Sequence, residues 1–184
     1  MVIHEYQLPI VSERLYYRLI TKEDTKPWEA FFINNPDLHF VGVKDSKDPQ
    51  EEAFIWTERQ MKRIADTGLG MLAAVEKSTD TLIGNVGVIF RENIMGEDLF
   101  EIGYSVIPSR WKMGYASEMA IRFREYFEDQ GLDERVISII HIDNIGSQKV
   151  AEKNGMTRGK QFDFLGSPCY CYRKELVKRK SHSS

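Results

Sequence analysis

The chain has 184 residues, with 25 Lys and Arg against 28 Asp and Glu, a net charge of −3. That balance argues against a general nucleic-acid-binding surface, and the length suits one domain with a substantial core, over residues 1–184 with a tail at 178–184. Apolar residues are 42% and charged residues 29%, ordinary for a globular protein, and no apolar run approaches the ~20 residues that span a bilayer. The N-terminal MVIHEYQLPIVSERL has no basic stretch leading into a long apolar run, so no signal peptide is expected. Cys169 and Cys171 are separated by one residue. A bridge across that span is strained and two cysteines alone make no zinc site, so a reduced, cytoplasmic setting without metal is expected.

In chain order, Leu15, Tyr17 and Leu19 alternate with Tyr16 and Arg18, which predicts a first strand. Thr21 and Asp24 form a near capping box ahead of a helix whose apolar face is Trp28, Phe31 and Phe32, ended by Asn34-Asn35-Pro36. Residues 37–47 read as loop. Asp48-Pro49 places an N-cap before proline, and the helix they start closes at Gly68. Strands are expected over 71–76 and 81–90, joined by a turn at 77–80, with a polar loop over 91–98. Phe100, Ile102, Tyr104 and Val106 alternate with Glu101, Gly103 and Ser105 up to Pro108, a half-buried strand. After Gly114 the positions Ala116, Met119, Ala120, Phe123, Tyr126 and Phe127 lie on one helix face, with Gly131 as its C-cap. VISIIHI at 136–142 reads as a central buried strand. A short helix at 145–154 ends at Gly155, and strands at 161–165 and 169–176 follow.

The strand-loop-helix from Glu101 to Phe127 is the candidate site. A helix N-terminus aims unpaired N–H groups past the strand end, a place suited to phosphate. Any strand-loop-helix needs a turn, so spacing alone does not decide it. Neither G-x-G-x-x-G nor G-x-x-x-x-G-K-[ST] occurs there, which disfavours a dinucleotide or nucleoside triphosphate.

Trp111-Lys112-Met113-Gly114-Tyr115-Ala116 resembles the Q/R-x-x-G-x-G/A pyrophosphate loop of the GNAT superfamily of N-acetyltransferases, in particular the W-G-K-G-Y-A form of the Rim-type ribosomal-protein acetyltransferases. The stretch from Asp143 to Met156 is similar to that branch's N-x-x-S-x-x-V-x-E-K-x-G-F, Ser12–Arg18 to its S/T-E-R-L-x-L-R, and Leu82-Ile83-Gly84 to its L-I-G strand. The matches run in order from about residue 12 to 156. Three positions depart: Lys112 stands for glycine, Met113 for a basic residue and Met156 for phenylalanine. Lys112 either changes the loop's backbone or reaches a phosphate.

The resemblance implies an α/β fold with a mixed, mostly antiparallel sheet, splayed between two central strands and flanked by helices. It implies acetyl-CoA as co-substrate and transfer to a primary amine, a protein N-terminus or a small amine, by direct attack in a ternary complex. The diphosphate then falls to Trp111, Lys112, Met113, Gly114, Tyr115, Ala116 and Ser117, and the pantetheine arm to Val106, Ile107, Asn144 and Ser147. Glu101, on the side of its strand opposite Phe100 and Ile102, is the expected general base, since an amine is mostly protonated at neutral pH. An edge carboxylate paired to a cation is the plain alternative. Ser147, Tyr172 or Tyr170 would serve the leaving thiolate, and Ser147 as a first-turn helix residue is the competing reading. His141 reads as a core histidine, His39 as a loop residue near the acceptor, and Trp28, Phe31, Phe32, Trp56 and Met61 as core. Dimers are common among such relatives. A module that binds acyl-CoA without turnover is the alternative function.

Overall fold

A computed structural model describes residues 3–43 and 48–176; the tail expected at 178–184 and part of the loop expected at 37–47 lie outside the described residues. Eight strands form one sheet: β1 (Ile10–Val11), β2 (Leu15–Arg18), β3 (Gly70–Glu76), β4 (Thr81–Ile94), β5 (Glu97–Val106), β6 (Arg135–His141), β7 (Thr157–Phe164) and β8 (Ser167–Glu175). Their spatial order is β1-β2-β3-β4-β5-β6-β8-β7. Every pairing is antiparallel except β5 with β6. Four helices pack on it: α1 (Thr25–Phe32), α2 (Pro49–Thr67), α3 (Tyr115–Gln130) and α4 (Ile145–Lys153).

Two apolar layers follow from strand alternation. Val86, Val88, Phe100, Ile102 and Val106 face α3 and meet its Met119, Phe123 and Phe127. Phe123 and Phe127 are fully buried, each contributing on the order of 2 kcal/mol. On the opposite face, Met71, Ala73 and Ile89 meet Trp28, Phe31 and Phe32 of α1 and Ala53 of α2. Trp28 stacks on Phe31 with centroids 4.6 Å apart.

The opening motif ties the first helix down. Arg18 donates two bonds to Asp24, both 2.7 Å, and Asp24 closes a capping box with Thr21. That box caps a single 3-10 turn, so α1 begins at Thr25 rather than Thr21. Asp48 accepts from the Gln50 N–H with Pro49 at the first helical position, and Gly68 ends α2 in a left-handed conformation, as expected.

Three segments differ from expectation. Residues 91–98 are not a loop: β4 runs to Ile94 and β5 starts at Glu97, with only Met95 and Gly96 between them, both at positive φ. β1 was not anticipated, and β7 begins at Thr157 rather than 161.

The parallel pair matters most. β5 and β6 share a single register pair, Glu101 with Ile137. Just beyond it the Ser138 hydroxyl donates to the Ile102 carbonyl at 2.8 Å, a side chain standing where the next strand partner is missing. Past that point the sheet opens between β5 and β6. Gly84 of β4 keeps the opposite side of β5 tight: a Cβ there would lie 2.4 Å from the Ser105 carbonyl oxygen. Glycine is what lets the strands close at this level.

Candidate active site

The opening leads into two adjoining cavities. One, of about 760 Å³, lies between β5, the start of α3 and the start of α4. The other, of about 320 Å³, lies under α1 and α2 on the far side of β5. Both are lined by Tyr104, Ser105, Asn144 and Ser147, with Phe31 and Phe40 over them.

The first cavity has main-chain donors at one end. Gly114, at φ +82°, is the N-cap of α3 and offers no capping side chain. The first intrahelical bond is from Glu118 N–H to the Gly114 carbonyl, so the N–H groups of Tyr115, Ala116 and Ser117 have no helical acceptor. A Cβ at Gly114 would make only ordinary contact, 3.5 Å from an Arg14 nitrogen. The left-handed backbone, more than space, calls for glycine there. Lys112 has φ +62° and is also left-handed, which accounts for the glycine that the resembling loop carries at this place; a side chain costs about 1 kcal/mol here. Lys112 lines the cavity as well.

Arg14 holds this loop. Its Nη1 donates to the Met113 carbonyl at 2.9 Å, its Nε to Glu118 at 2.7 Å, and its guanidinium lies 4.0 Å from the centre of the Tyr115 ring. Glu118 also accepts from the Ser12 hydroxyl and the Arg14 N–H. Burial pulls the Glu118 carboxyl up, but these donors outweigh it and hold it below the ordinary carboxylate range. The Ser-Glu-Arg opening is therefore a clamp on the loop. Behind it, Glu76 takes the Tyr115 hydroxyl, the Thr79 hydroxyl at 2.7 Å and Arg110 at 3.2 Å. The Tyr115 bond first, then Thr79, hold its carboxyl low despite burial.

The strand edge follows from register. Ile107 N–H donates to the Ile83 carbonyl at 3.0 Å, so odd-numbered residues of β5 bond back to β4. Ile102, Tyr104 and Val106 turn their main-chain groups toward the opening. Trp111 occupies one of them, its indole N–H donating to the Val106 carbonyl at 2.7 Å. Two of the expected residues stand apart from the cavities. Ile107 is buried on the α1 side with its N–H spent, and lines neither cavity. Met113 is exposed and gives its carbonyl to Arg14, outside the cavity lining. Trp111, Lys112, Gly114, Tyr115, Ala116, Ser117, Val106, Asn144 and Ser147 do line it.

Asn144 caps α4 by accepting from the Ser147 N–H at 3.0 Å, and Tyr104 donates its hydroxyl to the Ser147 carbonyl at 3.0 Å. Burial pushes the Tyr104 phenol up, so it stays a donor. Tyr104 was not singled out as a site residue in the sequence, where its alternation reads simply as core.

The second cavity is built from side chains. Glu101, 7% exposed, lines this cavity and accepts from Arg91 Nε at 2.6 Å; the pairing to a cation, the plain alternative to a base, is present. Phe31, Phe32 and Trp56, read from spacing as core, line this space, while Trp28 and Met61 are core only. His141 ends β6 in the lining rather than in the core; its Nδ1 accepts from the Asp143 N–H at 3.2 Å, and its ring meets Phe40 at 5.0 Å and His39 at 5.8 Å. Cys169 is in the lining, its thiol pushed up to about 11 by burial and then by the Glu101 charge.

Tyr172 lies away from both cavities. It is fully buried on the α4 face of β8, its hydroxyl donating toward Gln148 at 3.2 Å and Glu152 at 3.3 Å, and it lines neither cavity. Alternation sends Cys169 and Cys171 to the cavity side and Tyr170 and Tyr172 to the other. Among the described residues no cluster of His, Cys, Asp or Glu is placed to hold a metal ion, and no helix is long and apolar enough to cross a membrane.

Helix N–H groups without acceptors, a glycine at the cap and a strand edge facing an opening fit a diphosphate carrying an extended amide arm. Comparison with known proteins agrees. The acetyltransferase (GNAT) domain model matches residues 14–157. The chain is 25% identical to YkkB of Bacillus subtilis (strain 168) over 90% of this chain and 95% of that protein. It is 31% identical to the uncharacterized N-acetyltransferase YnaD of the same organism, over 81% of this chain and 82% of that protein. The Salmonella typhimurium acetyltransferase that modifies the N-terminal serine of ribosomal protein L7/L12 shares the fold, with a TM-score of 0.72 at 17% identity over 92% of this chain and all of that one. The open sheet, the clamped loop and these matches together make the chain a member of the GNAT family, an acetyl-CoA-dependent acetyltransferase.

Proposed function

We propose that this enzyme moves the acetyl group of acetyl-CoA onto a primary amine that enters the smaller cavity, by direct attack with both substrates bound. The observation that supports this most is the meeting of the two cavities at Tyr104, Ser105, Asn144 and Ser147. One side offers main-chain donors and the other a buried carboxylate.

Acetyl-CoA supplies an activated thioester. The N–H groups of Tyr115, Ala116 and Ser117, with the α3 dipole behind them, hold its diphosphate, and Lys112 adds a cation. The edge groups of Tyr104 and the N–H of Val106 take the arm as an added strand. Glu101 is set back from Ser105 by four strand residues, roughly 13 Å of backbone. It accepts the amine proton through water in the cavity. Ser147, at the junction, donates to the departing sulfur. The acceptor is either a protein N-terminus or a small amine.

Thiol release from acetyl-CoA across a panel of amines tests this. Wild type is expected to release thiol only with an amine present, and Glu101→Gln to lower kcat by about 10²-fold with coenzyme A affinity retained. Coenzyme A binding with no amine-dependent release would leave a non-catalytic acyl-CoA-binding module instead.

A further inference from the structure

We infer that the acceptor cavity is built for a small amine that also carries a carboxylate. The inference rests on the acetyltransferase reading and specifies its second substrate.

The lining holds three arginines, Arg59, Arg63 and Arg91, against two carboxylates, Glu52 and Glu101. Arg91 and Glu101 form one pair at 2.6 Å. Arg63 is half-buried, and its Nη1 donates to the neutral Gln60 Oε1 at 2.8 Å. It forms no ion pair among the described residues, and the Glu101 charge it feels is shared with Arg91. Burial first, and Arg91 next, make its charge less favourable than that of an ordinary arginine. A half-buried cation with only a neutral partner is costly to keep and is relieved by an incoming anion.

A second observation is independent of charge. Asn85 is 1% exposed and lines the same cavity, yet neither its Oδ1 nor its Nδ2 has a hydrogen-bond partner. Buried amides are rarely left so. It sits on the same face of β4 as Ile89 and Arg91 and lies opposite Ser105 in register. The cavity thus presents an unfilled donor-acceptor pair at the junction end and an uncompensated guanidinium on the Arg91–Glu101 side. A molecule with an amine N–H to donate to Asn85 Oδ1 at one point and a carboxylate to accept from Arg63 at another meets both residues. A polyamine would bring further positive charge against three arginines. A neutral peptide N-terminus would leave Arg63 without its anion.

The test uses matched pairs: α- and ω-amino acids against their carboxamides, with spermidine and an uncharged-side-chain peptide alongside, read as thiol release from acetyl-CoA. The best acid is expected to exceed its carboxamide in kcat/KM by tenfold or more. Its N-acetylated product is expected to protect the wild-type fold against heat in the presence of coenzyme A, where the acetylated carboxamide does not. In Arg63→Gln, checked for folding by its melting curve, the acid-to-amide ratio is expected to fall toward one, mainly through KM. Equal rates for acids and amides, faster spermidine or peptide, or an unchanged ratio in a folded Arg63→Gln would overturn the inference while leaving acetyl transfer intact. If Arg63→Gln does not fold, the wild-type ratio and the heat protection decide. No thiol release with any amine, while coenzyme A still protects the fold, would overturn the acetyl-transfer reading itself and this inference with it.

Discussion

The two halves of the site are made of different material. On the proposed reading the donor half is main chain: three helix N–H groups, a glycine cap and a strand edge, braced by Arg14 and Glu76. The acceptor half is side chains, drawn from α1, α2, β4, β5, β6 and β8. Backbone recognition tolerates replacement of most residues as long as φ and register survive. Side-chain recognition changes whenever a residue does. One scaffold can therefore keep one donor while its second substrate varies, because only the second half is rewritten by ordinary substitutions.

The sharpest way to break this contrast is Arg14→Ala. It removes the bond to the Met113 carbonyl, the Glu118 pair and the contact on Tyr115 together. The Kd for coenzyme A is expected to rise about tenfold, as for loss of a charge-assisted bond, with the acceptor KM within about twofold. Calorimetric binding and steady-state kinetics measure the two separately, and a dominant change in acceptor KM would dissolve the division. Next comes Lys112→Gly. Relief of a left-handed lysine is expected to stabilise the fold by about 0.5–1 kcal/mol. Loss of one exposed charge is expected to weaken coenzyme A two- to threefold, both read from melting curves with and without ligand. The smallest effect on binding and turnover is expected from Tyr172→Phe. It costs about 1 kcal/mol through its lost hydrogen bond and changes kcat by less than about twofold, since the hydroxyl lies on the α4 face. A large drop in kcat at unchanged melting temperature would return Tyr172 to the chemistry.

The same division explains what could be read from the chain beforehand. Gly114, Gly84 and the Ser12-Glu13-Arg14 opening are visible because backbone sites impose residues at fixed spacings: a left-handed cap, a strand approach too close for a Cβ, a clamp on a helix start. The acceptor residues are scattered from Phe31 to Cys169, and no spacing joins them. Arg91 was hidden for a further reason. The β4–β5 hairpin carries polar residues where it leaves the core, and Arg91, Glu92 and Asn93 look like loop although they continue a strand. β7 is nearly all exposed from Thr157 to Lys160, so alternation gives no sign of its start. A tyrosine after the α4 helix gives no face by itself; the register with β6, Ser138 opposite Tyr172, sets it.

The indole of Trp111 latches the phosphate loop to the carbonyl of Val106. On the proposed reading, anchor and edge are thereby tied into one gauge, its span set by that bond. Such a gauge measures length. A thioester lacking the nucleotide end, such as acetyl-pantetheine, would then reach the edge but leave the anchor empty, and one with a longer arm would overshoot the junction at Ser147.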